Sequence, residues 1–498
     1  MRHSKVVNRN SLSFSWSNFG WQIVKDYIAL LILLLLSFYV VYFTKPVVSQ
    51  LFFLLLLISF FFLKKDYFWF AFFFVLIQGP GYFFADFSGS SLHRLPLYTI
   101  FSGFSFTVLD LFVMLAIVKA FLRGRKTQLQ LGVPLIIVSL YILFIICVTA
   151  FIFGTTIEDL AWNLRWIFYY SIIISFSYLV YKKHEIYQFI HLIFPVVFFI
   201  LFAQIYFVAT GNEFINIFNP GFRGVTLNTV TGEIRPLMGG ILIVFFSYIF
   251  SVFFLVDNNY RLSRLYLYIV IAASFLSVFL SAARLWFVIF SFIFAGYMVI
   301  TKKKFLSTIG VAAVVFLVLS TLMYFGIIPP ELLVQSSWGR LQQVFFVASG
   351  NVYSVDTAMN RLVNQLPILV GLIKENALIG YGLSHISMTY YDNDFGFLNT
   401  ILMFGFVGLL FFIFFFAKMF LLLLRTIKKL HVNNSYKMPL KVMVLAWIGI
   451  LIGYFSTWDF FTMYFDKVFF VSLLIVFAEF FVWRAYRQEL RYASDIEI

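Results

Sequence analysis

The sequence predicts a polytopic helical membrane protein, and its composition carries most of that prediction. Of its 498 residues, 62% are hydrophobic and 22% are aromatic, whereas only 11% are charged. A typical soluble domain carries about 25% charged residues. Apolar runs recur along the chain, and most are long enough to cross a hydrocarbon core of about 30 Å. This composition excludes a soluble globular protein.

Fourteen apolar runs are predicted to span the membrane, eleven in a main bundle (27–326) and three in a C-terminal group (398–483). The fourteen runs cover residues 27–43, 47–63, 67–79, 107–122, 133–153, 163–181, 187–209, 237–256, 265–282, 285–301, 306–326, 398–424, 440–456 and 467–483. The remaining segments are an N-terminal tail, two smaller outer loops, one long loop and a C-terminal tail, which cover residues 1–26, 80–106, 210–236, 327–397 and 484–498.

Basic residues orient the predicted spans, because loops rich in lysine and arginine stay in the cytoplasm. With the N-terminus inside, 25 of the 36 Lys and Arg residues are cytoplasmic, ten lie outside, and Lys418 lies in a span. Both termini are then cytoplasmic, and the 327–397 loop faces out. The N-terminal tail lacks a small-residue cleavage site, which indicates a retained segment and not a signal peptide. The formal charge of +15 follows from this bias, so it does not indicate nucleic-acid binding.

The outer cations are mainly arginines, whereas lysine predominates inside. The planar guanidinium group binds phosphate or carboxylate in a bidentate manner better than an ammonium group does. An ionisable residue near membrane depth is itself a hypothesis of function. The alternative is that each arginine pairs with a nearby acid or caps a helix. The seven outer arginines are Arg94, Arg165, Arg223, Arg235, Arg284, Arg340 and Arg361.

The long loop is predicted to contain an amphipathic helix from about Asp356, a candidate cap, to Glu375. Pro367 is expected to kink it. One face is apolar, and the other carries Arg361 beside asparagine and glutamine side chains. This pattern is typical of a helix at the outer leaflet with Arg361 towards water or a cavity. An ordinary packed loop helix fits the apolar face equally well.

No metal or cofactor is expected. The outer acidic residues are scattered except for Asp392-Asn393-Asp394, which has D-x-D spacing, and the chain has no Walker lysine motif, no H-E-x-x-H and no Rossmann glycine signature. The lone cysteine, Cys147, lies in a predicted span, which excludes an intramolecular disulfide.

Several short patterns follow one another between residues 281 and 410. They are Ser281-Ala282-Ala283-Arg284, then Arg361, then Ala377-Leu378-Ile379-Gly380-Tyr381-Gly382, then Asp392-Asn393-Asp394-Phe395-Gly396-Phe397-Leu398-Asn399, and finally Gly405-Phe406-Val407-Gly408. In this order they resemble the O-antigen ligase and polymerase superfamily of bacterial surface polysaccharide assembly, and a weaker similarity lies at Arg223 and Arg235-Pro236.

The resemblance implies a GT-C-like membrane bundle that performs inverting glycosyl transfer at the periplasmic face of the bacterial inner membrane. The donor would be an undecaprenyl-diphosphate-linked oligosaccharide, with no cofactor and no metal. By position, Arg223, Arg284 and Arg361 would hold the diphosphate, with Arg235 beside them as a further substrate-binding residue. Implied partners are membrane lipid and a chain-length regulator protein, and no nucleic acid.

The chain departs from the ligase pattern at the expected histidine, eleven positions before Gly405, where Asp394 stands. Asp394 is therefore a candidate base for the acceptor hydroxyl, and His385 is a second candidate. The alternatives are a helix cap for Asp394 and a loop residue bonded to main chain for His385. Gly405 and Gly408 also suit a small-residue seam between helices.

These departures favour a polymerase of lipid-linked repeat units. Two other functions stay open, a ligase that transfers the finished glycan to a lipid A core and a lipid-linked oligosaccharide flippase. Transporters place ionisable residues at the bilayer midplane and repeat their halves, and neither feature is present in this sequence.

Overall fold

The chain is predominantly helical. The computed structural model describes residues 16–78, 95–101, 104–123, 131–156, 165–210, 240–257, 262–281, 283–301, 320–321, 349, 360–391, 395–456 and 465–496. In these ranges the α-helices are α1 (Trp16–Phe43), α2 (Pro46–Phe62), α3 (Asp66–Leu76), α4 (Val108–Leu122), α5 (Gly132–Phe153), α6 (Arg165–Tyr169), α7 (Ile172–Leu179), α8 (Lys183–Thr210), α9 (Ile241–Val256), α10 (Arg264–Leu280), α11 (Arg284–Thr301), α12 (Leu366–Glu375), α13 (His385–Tyr390), α14 (Gly396–Lys429), α15 (Lys437–Ser456) and α16 (Phe465–Ile496). A π-helix (Asn360–Gln365) precedes α12, and two strands, β1 (Leu97–Phe101) and β2 (Phe104–Thr107), precede α4.

Six of the described helices are long and apolar enough to cross a membrane, namely α1, α5, α8, α14, α15 and α16. Five shorter apolar helices are α2, α3, α9, α10 and most of α11. This architecture is that of a helical multi-pass membrane protein, as the composition predicted.

The expected count of fourteen spans is not confirmed by the described residues. The span predicted at 306–326 lies almost wholly outside them. The span predicted at 163–181 is two short helices, α6 and α7, separated by a turn at Tyr170 and Ser171. The eleven residues of α3 rise only about 16 Å, so α3 is too short to cross a bilayer alone.

An antiparallel β-hairpin occupies the end of the predicted 80–106 outer loop. Residues 79–94 of that loop lie outside the described residues. The hairpin is tied to α2 through Gln50, which donates from Nε2 to the carbonyl of Leu97 at 2.9 Å and accepts from the Tyr98 hydroxyl at 2.8 Å. Burial raises the pKa of Tyr98 to about 12, so the phenol stays protonated and keeps this bond at neutral pH.

Phenylalanine rings fill the core around α3, which is buried along its whole length. Phe73 stacks on Phe112 of α4 with ring centroids 4.0 Å apart. Phe74 contacts Phe246 of α9 at 5.5 Å and Phe469 of α16 at 5.6 Å. Aromatic pairs of this kind contribute about 0.5–1.5 kcal/mol beyond the area they bury. Helix α3 is therefore packed on all sides and lies in the interior of the bundle.

Contacts between antiparallel helices define two ends of the bundle. Thr400 of α14 hydrogen-bonds to Tyr454 near the end of α15, so the start of α14 lies beside the end of α15. At the start of α15, the Tyr436 ring lies under the Lys183 ammonium group of α8 at 5.5 Å. We refer to these as the Gly405 end and the Tyr436 end. The helix ends that carry Lys65, Arg123, Lys182, Lys183 and Arg484 lie at the Tyr436 end.

A buried ion cluster closes the Tyr436 end between α3 and α4. The Asp66 carboxylate lies 2.7 Å from the Lys119 ammonium group and also pairs with Arg123. The side chains of Asp66 and Lys119 are 3% and 4% exposed. Lys119 also donates to the last carbonyls of α2, at Phe60 and Leu63. The cluster therefore joins three helices.

We expect Asp66→Asn to destabilise the protein by about 3 kcal/mol, because Lys119 would stay buried without a carboxylate. Thermal unfolding in detergent measures the change. Glu185→Gln is the matched control, because Glu185 pairs with the half-exposed Lys182 at 3.2 Å and contributes about 0–1 kcal/mol. Equal melting temperatures for the two variants would contradict this role of the buried cluster.

Candidate functional site at a broken helix

Helix α14 is broken at Gly405. The backbone there has φ +65° and ψ −176°, which is not helical, whereas the residues on either side continue the helix. In an intact α-helix the amides of Phe406 and Val407 would donate to the carbonyls of Leu402 and Met403. The break therefore frees four main-chain groups inside an apolar segment, and each needs another partner.

The segment Ala377–Gly382 supplies all four partners. The amide of Phe406 donates to the Ala377 carbonyl at 2.8 Å, and that of Val407 donates to the Leu378 carbonyl at 3.3 Å. In return, Leu402 and Met403 accept from the amides of Tyr381 and Gly382 at 2.8 and 2.7 Å. These four bonds replace the helical bonds lost at the break, and we call this arrangement the loop–helix joint.

Glycine is required at the joint for steric reasons. A Cβ atom at Gly405 would overlap the Leu378 carbonyl, and one at Gly380 would lie 2.6 Å from the Met403 carbonyl carbon. Both glycines have positive φ, which L-residues with side chains rarely adopt. The G-x-x-G and Gly380-Tyr381-Gly382 patterns of the sequence are therefore two halves of one structural unit. The sequence predicted for Gly405 only a small-residue seam.

Gly408 does occupy such a seam, against α5. A Cβ atom at Gly408 would lie 3.3 Å from the Tyr141 ring, and the Tyr141 hydroxyl donates to the Phe404 carbonyl at 3.0 Å. Further along α5, Thr149 fits against Gly382. Helix α5 therefore supports the joint from behind.

Tyr381 anchors the joint to α12. Its ring is buried and lies 5.3 Å from that of Phe153 at the end of α5. Its hydroxyl lies 3.2 Å from the Leu372 carbonyl and 3.1 Å from the Glu375 carboxylate. Burial and the Glu375 carboxylate raise the pKa of the Tyr381 phenol, so it stays protonated and remains a donor.

The predicted loop helix is present in two parts, a π-helix up to Gln365 and α12 after it, with Pro367 in the first turn of α12. Proline at that position marks the start of the regular helix. The candidate cap, Asp356, lies outside the described residues. Leu369 and Ile373 are buried against α14 and the joint, whereas Leu362 and Val363 are exposed. The apolar side chains are thus packed against other segments in α12 and exposed in the preceding π-helix.

The start of α11, at Arg284, lies at the Gly405 end. Gly449 of α15 fits against Ile289 and Ile293 of α11, and the two helices are antiparallel. Tyr454 lies five residues after Gly449 in α15, and Arg284 lies five residues before Ile289 in α11. Because the helices are antiparallel, both steps run about 7.5 Å in the same direction, so Tyr454 and Arg284 lie at about the same level. Tyr454 contacts Thr400, five residues before Gly405. The backbone of Arg284 and the joint therefore share one end of the bundle.

Arg165 is one of the seven outer arginines, and it is paired with an acid, as the alternative interpretation expected. Its guanidinium group lies 3.4 Å from the Asp110 carboxylate, and both side chains are buried. Asp110 also accepts from Tyr169 at 2.5 Å and from the Thr107 amide at 2.6 Å in a capping box. The ring of the next residue, Trp166, lies 6.1 Å from that of Phe404 beside the joint.

Asp110 and Tyr169 were not singled out from the sequence. The signal for Asp110 is the Thr107-x-x-Asp110 spacing, which is a capping-box pattern at the start of α4. Tyr169 carries no sequence signal, because its partner is 59 positions away in the chain.

The predicted site residues are described to different extents. His385 is exposed and begins α13, and the Ser387 hydroxyl on that helix donates to the Gly382 carbonyl at 2.7 Å. The main chain of Arg284 begins α11, and that of Arg361 lies in the π-helix. Asp394, Arg223 and Arg235 lie outside the described residues. Of the predicted site residues, the structure thus brings the segment that begins at His385 together with Gly405.

The arrangement places His385 at one end of the bundle with its side chain exposed. The joint holds Gly382, the Ser387 bond holds α13 on Gly382, and α13 presents His385 to the outside. Across the described ranges, no group of three or more His, Cys, Asp or Glu residues has the geometry to hold a metal ion. The His385 imidazole is accessible, and an accessible imidazole can accept or donate a proton.

Comparisons with known proteins identify no family. No protein-family model matches the chain, and no curated protein matches it.

We expect Gly405→Ala to destabilise the protein by at least about 2 kcal/mol, because the added Cβ overlaps main chain at a positive φ. Gly371→Ala in α12 is the control, because its Cβ meets nothing within 4 Å and alanine favours the helix. Thermal unfolding in detergent reports both. If Gly405→Ala melts at the temperature of Gly371→Ala, then the joint is not a structural requirement.

Proposed function

We propose that this protein is a membrane glycosyltransferase that polymerises lipid-linked polysaccharide repeat units. It moves a glycan from undecaprenyl diphosphate to the non-reducing-end hydroxyl of the next lipid-linked repeat. The reaction takes place at the periplasmic face of the bacterial inner membrane, in a GT-C-like bundle of about fourteen spans with both termini in the cytoplasm. The observation that carries the proposal is the loop–helix joint. It combines two of the patterns on which the family resemblance rests, Ala377–Gly382 and Gly405–Gly408.

The reaction is a single displacement at the anomeric carbon of the donor sugar. The bond from that carbon to the diphosphate oxygen breaks while the bond to the acceptor oxygen forms, which inverts the configuration. The acceptor proton goes to a base, Asp394 or His385, and the bonding electrons leave with the diphosphate. Guanidinium groups near the low-dielectric boundary stabilise the negative charge that develops on the diphosphate, and Arg223, Arg235, Arg284 and Arg361 are the candidates.

The joint suits this role because it holds irregular main chain rigidly at the edge of the membrane. A loop with unpaired amides and carbonyls is not tolerated at that depth. Here the helix break and the loop satisfy each other, so the polar residues after Gly382 can begin at membrane level. A lipid-linked donor delivers its diphosphate at that same level, which supports a site between the bilayer and the long loop.

The partners follow from the substrate. The donor and the acceptor are both undecaprenyl-diphosphate-linked oligosaccharides, so membrane lipid surrounds the protein on its apolar faces. A chain-length regulator protein is a further partner under this proposal. Arg223, Arg235, Arg284 and Arg361 supply the positive charge that these anionic lipids require.

Purified protein in detergent with EDTA and a lipid-diphosphate-linked repeat unit is expected to form a ladder of longer lipid-linked glycans on a gel. Arg284→Ala should abolish the ladder, because the leaving diphosphate loses its stabilising charge. Arg425→Ala is the matched control, because Arg425 is exposed near the opposite end of α14.

Transfer only after addition of a lipid A core acceptor would instead assign a ligase. No transfer to either acceptor, with a verified substrate, would favour a flippase. Either result would overturn the polymerase proposal.

The two candidate bases are distinguishable by paired substitutions. We expect Asp394→Asn to lower kcat by at least about a hundredfold, the usual contribution of a general base, with little change in KM. His385→Ala is expected to retain most of the activity. The reverse pattern would assign the base to His385, and full activity in both variants would exclude general-base catalysis by either residue.

A further inference from the structure

The first turn of α9 lies at the Gly405 end. Its N-cap residue is Gly240, with φ +89°, which has no side chain to accept from the first amides. The first turn of any helix leaves amides without intrahelical partners, and these make a positive end that favours anions. The Gly240 amide donates to the Gln78 carbonyl at 3.2 Å, so the residue that follows α3 lies directly beside this turn.

Gln78 carries a second, independent sign of a ligand. Its side chain is 2% exposed. Neither its Nε2 nor its Oε1 atom has a hydrogen-bond partner in the described part of the chain. A buried amide without partners destabilises a protein, since it loses its bonds to water and gains none. A ligand that bonds to this amide would remove the penalty.

Gln204 lies near the same turn and is joined to Ser277. The position of a Gly240 Cβ lies 2.7 Å from Ile200 of α8, and Gln204 lies one turn further along α8 on the same face. Gln204 donates from Nε2 to the Ser277 carbonyl of α10 at 3.1 Å. Gln204 and Ser277 are 3% and 1% exposed. Within the described residues, Gln204 Oε1 and Ser277 Oγ also have no partner.

We propose that Gln78, Gln204, Ser277 and the first turn of α9 form a binding site, the polar cup, for a glycosyl diphosphate. The phosphate oxygens accept from the α9 amides, from Gln78 Nε2 and from the Ser277 hydroxyl. The amide oxygens of Gln78 and Gln204 accept from hydroxyl groups of the attached sugar. This assignment rests on the proposed function, which supplies the class of ligand.

Two features support a diphosphate-linked sugar over a plain anion. The polar cup offers acceptors as well as donors, and an anion alone would leave the amide oxygens unpaired. In addition, Ser277 is one turn before Ser281, the C-cap residue of α10. The Ser281 hydroxyl donates to the Val278 carbonyl. Arg284 follows three residues later. The polar cup therefore lies beside the first residues of the family-like pattern.

The test measures binding of farnesyl diphosphate linked to N-acetylglucosamine, a soluble short-chain probe, to the full-length protein in detergent. Gln78→Leu and Gln204→Leu should each weaken binding roughly tenfold or more, because each removes bonds to an anionic or polar ligand. Gln78→Leu should also leave the melting temperature unchanged or raise it, because the leucine replaces an unpartnered amide.

Gln188→Leu is the matched control, because Gln188 is buried on the same helix as Gln204 but lies about 24 Å nearer the Tyr436 end. It should bind the probe like the wild type. Wild-type affinity in Gln78→Leu and Gln204→Leu would overturn the polar cup and leave the proposed function standing. If the wild type and all variants fail to bind the probe, both the polar cup and the proposed function are contradicted.

Discussion

The exchange of hydrogen bonds between a broken helix and a loop is the constraint on which this structure depends. Where α14 breaks at Gly405, four main-chain groups lose their helical partners, and Ala377–Gly382 replaces them one for one. At the edge of a hydrocarbon core, water does not satisfy such groups. The loop and the helix therefore have to fold onto each other, and that pairing fixes residues 377–382 of the long loop relative to the bundle.

The remaining contacts of the Gly405 end follow from this joint. Helix α5 supports it through Tyr141 and Thr149, and α12 is fastened to it through Tyr381. The aromatic core around α3 and the ion cluster at Asp66 hold the other helices in register at the opposite end. A rigid bundle with irregular, polar chain at one end is a suitable scaffold for chemistry on a lipid-linked substrate, because the reacting groups can be held at the depth of the lipid headgroup.

The sequence predicts the class of the fold well and the details of the site less well. Hydrophobicity identifies the long helices, because it depends on composition alone. The start of α12 also has a local cause in the sequence, because Pro367 lies in the first turn of that helix. The broken α6–α7 segment, by contrast, shows no break in its apolar pattern, since its turn at Tyr170 and Ser171 uses ordinary residues. The role of Gly405 was also missed, because the partners that require a glycine there come from 23 to 28 positions earlier in the chain. The buried side chains Gln78 and Gln204 carry no sequence signal. Only the packing of four helices shows that both amide atoms of Gln78 and the Oε1 atom of Gln204 lack partners in the described part of the chain.

Single-particle cryo-electron microscopy of the protein in a lipid nanodisc, with a lipid-diphosphate-linked repeat bound, would test the proposed function most directly. We expect density for the diphosphate at the Gly405 end, between the start of α11 and the first turn of α9, with the sugars directed towards α13. Density for the diphosphate at the Tyr436 end, or on a lipid-facing surface away from the loop–helix joint, would contradict it.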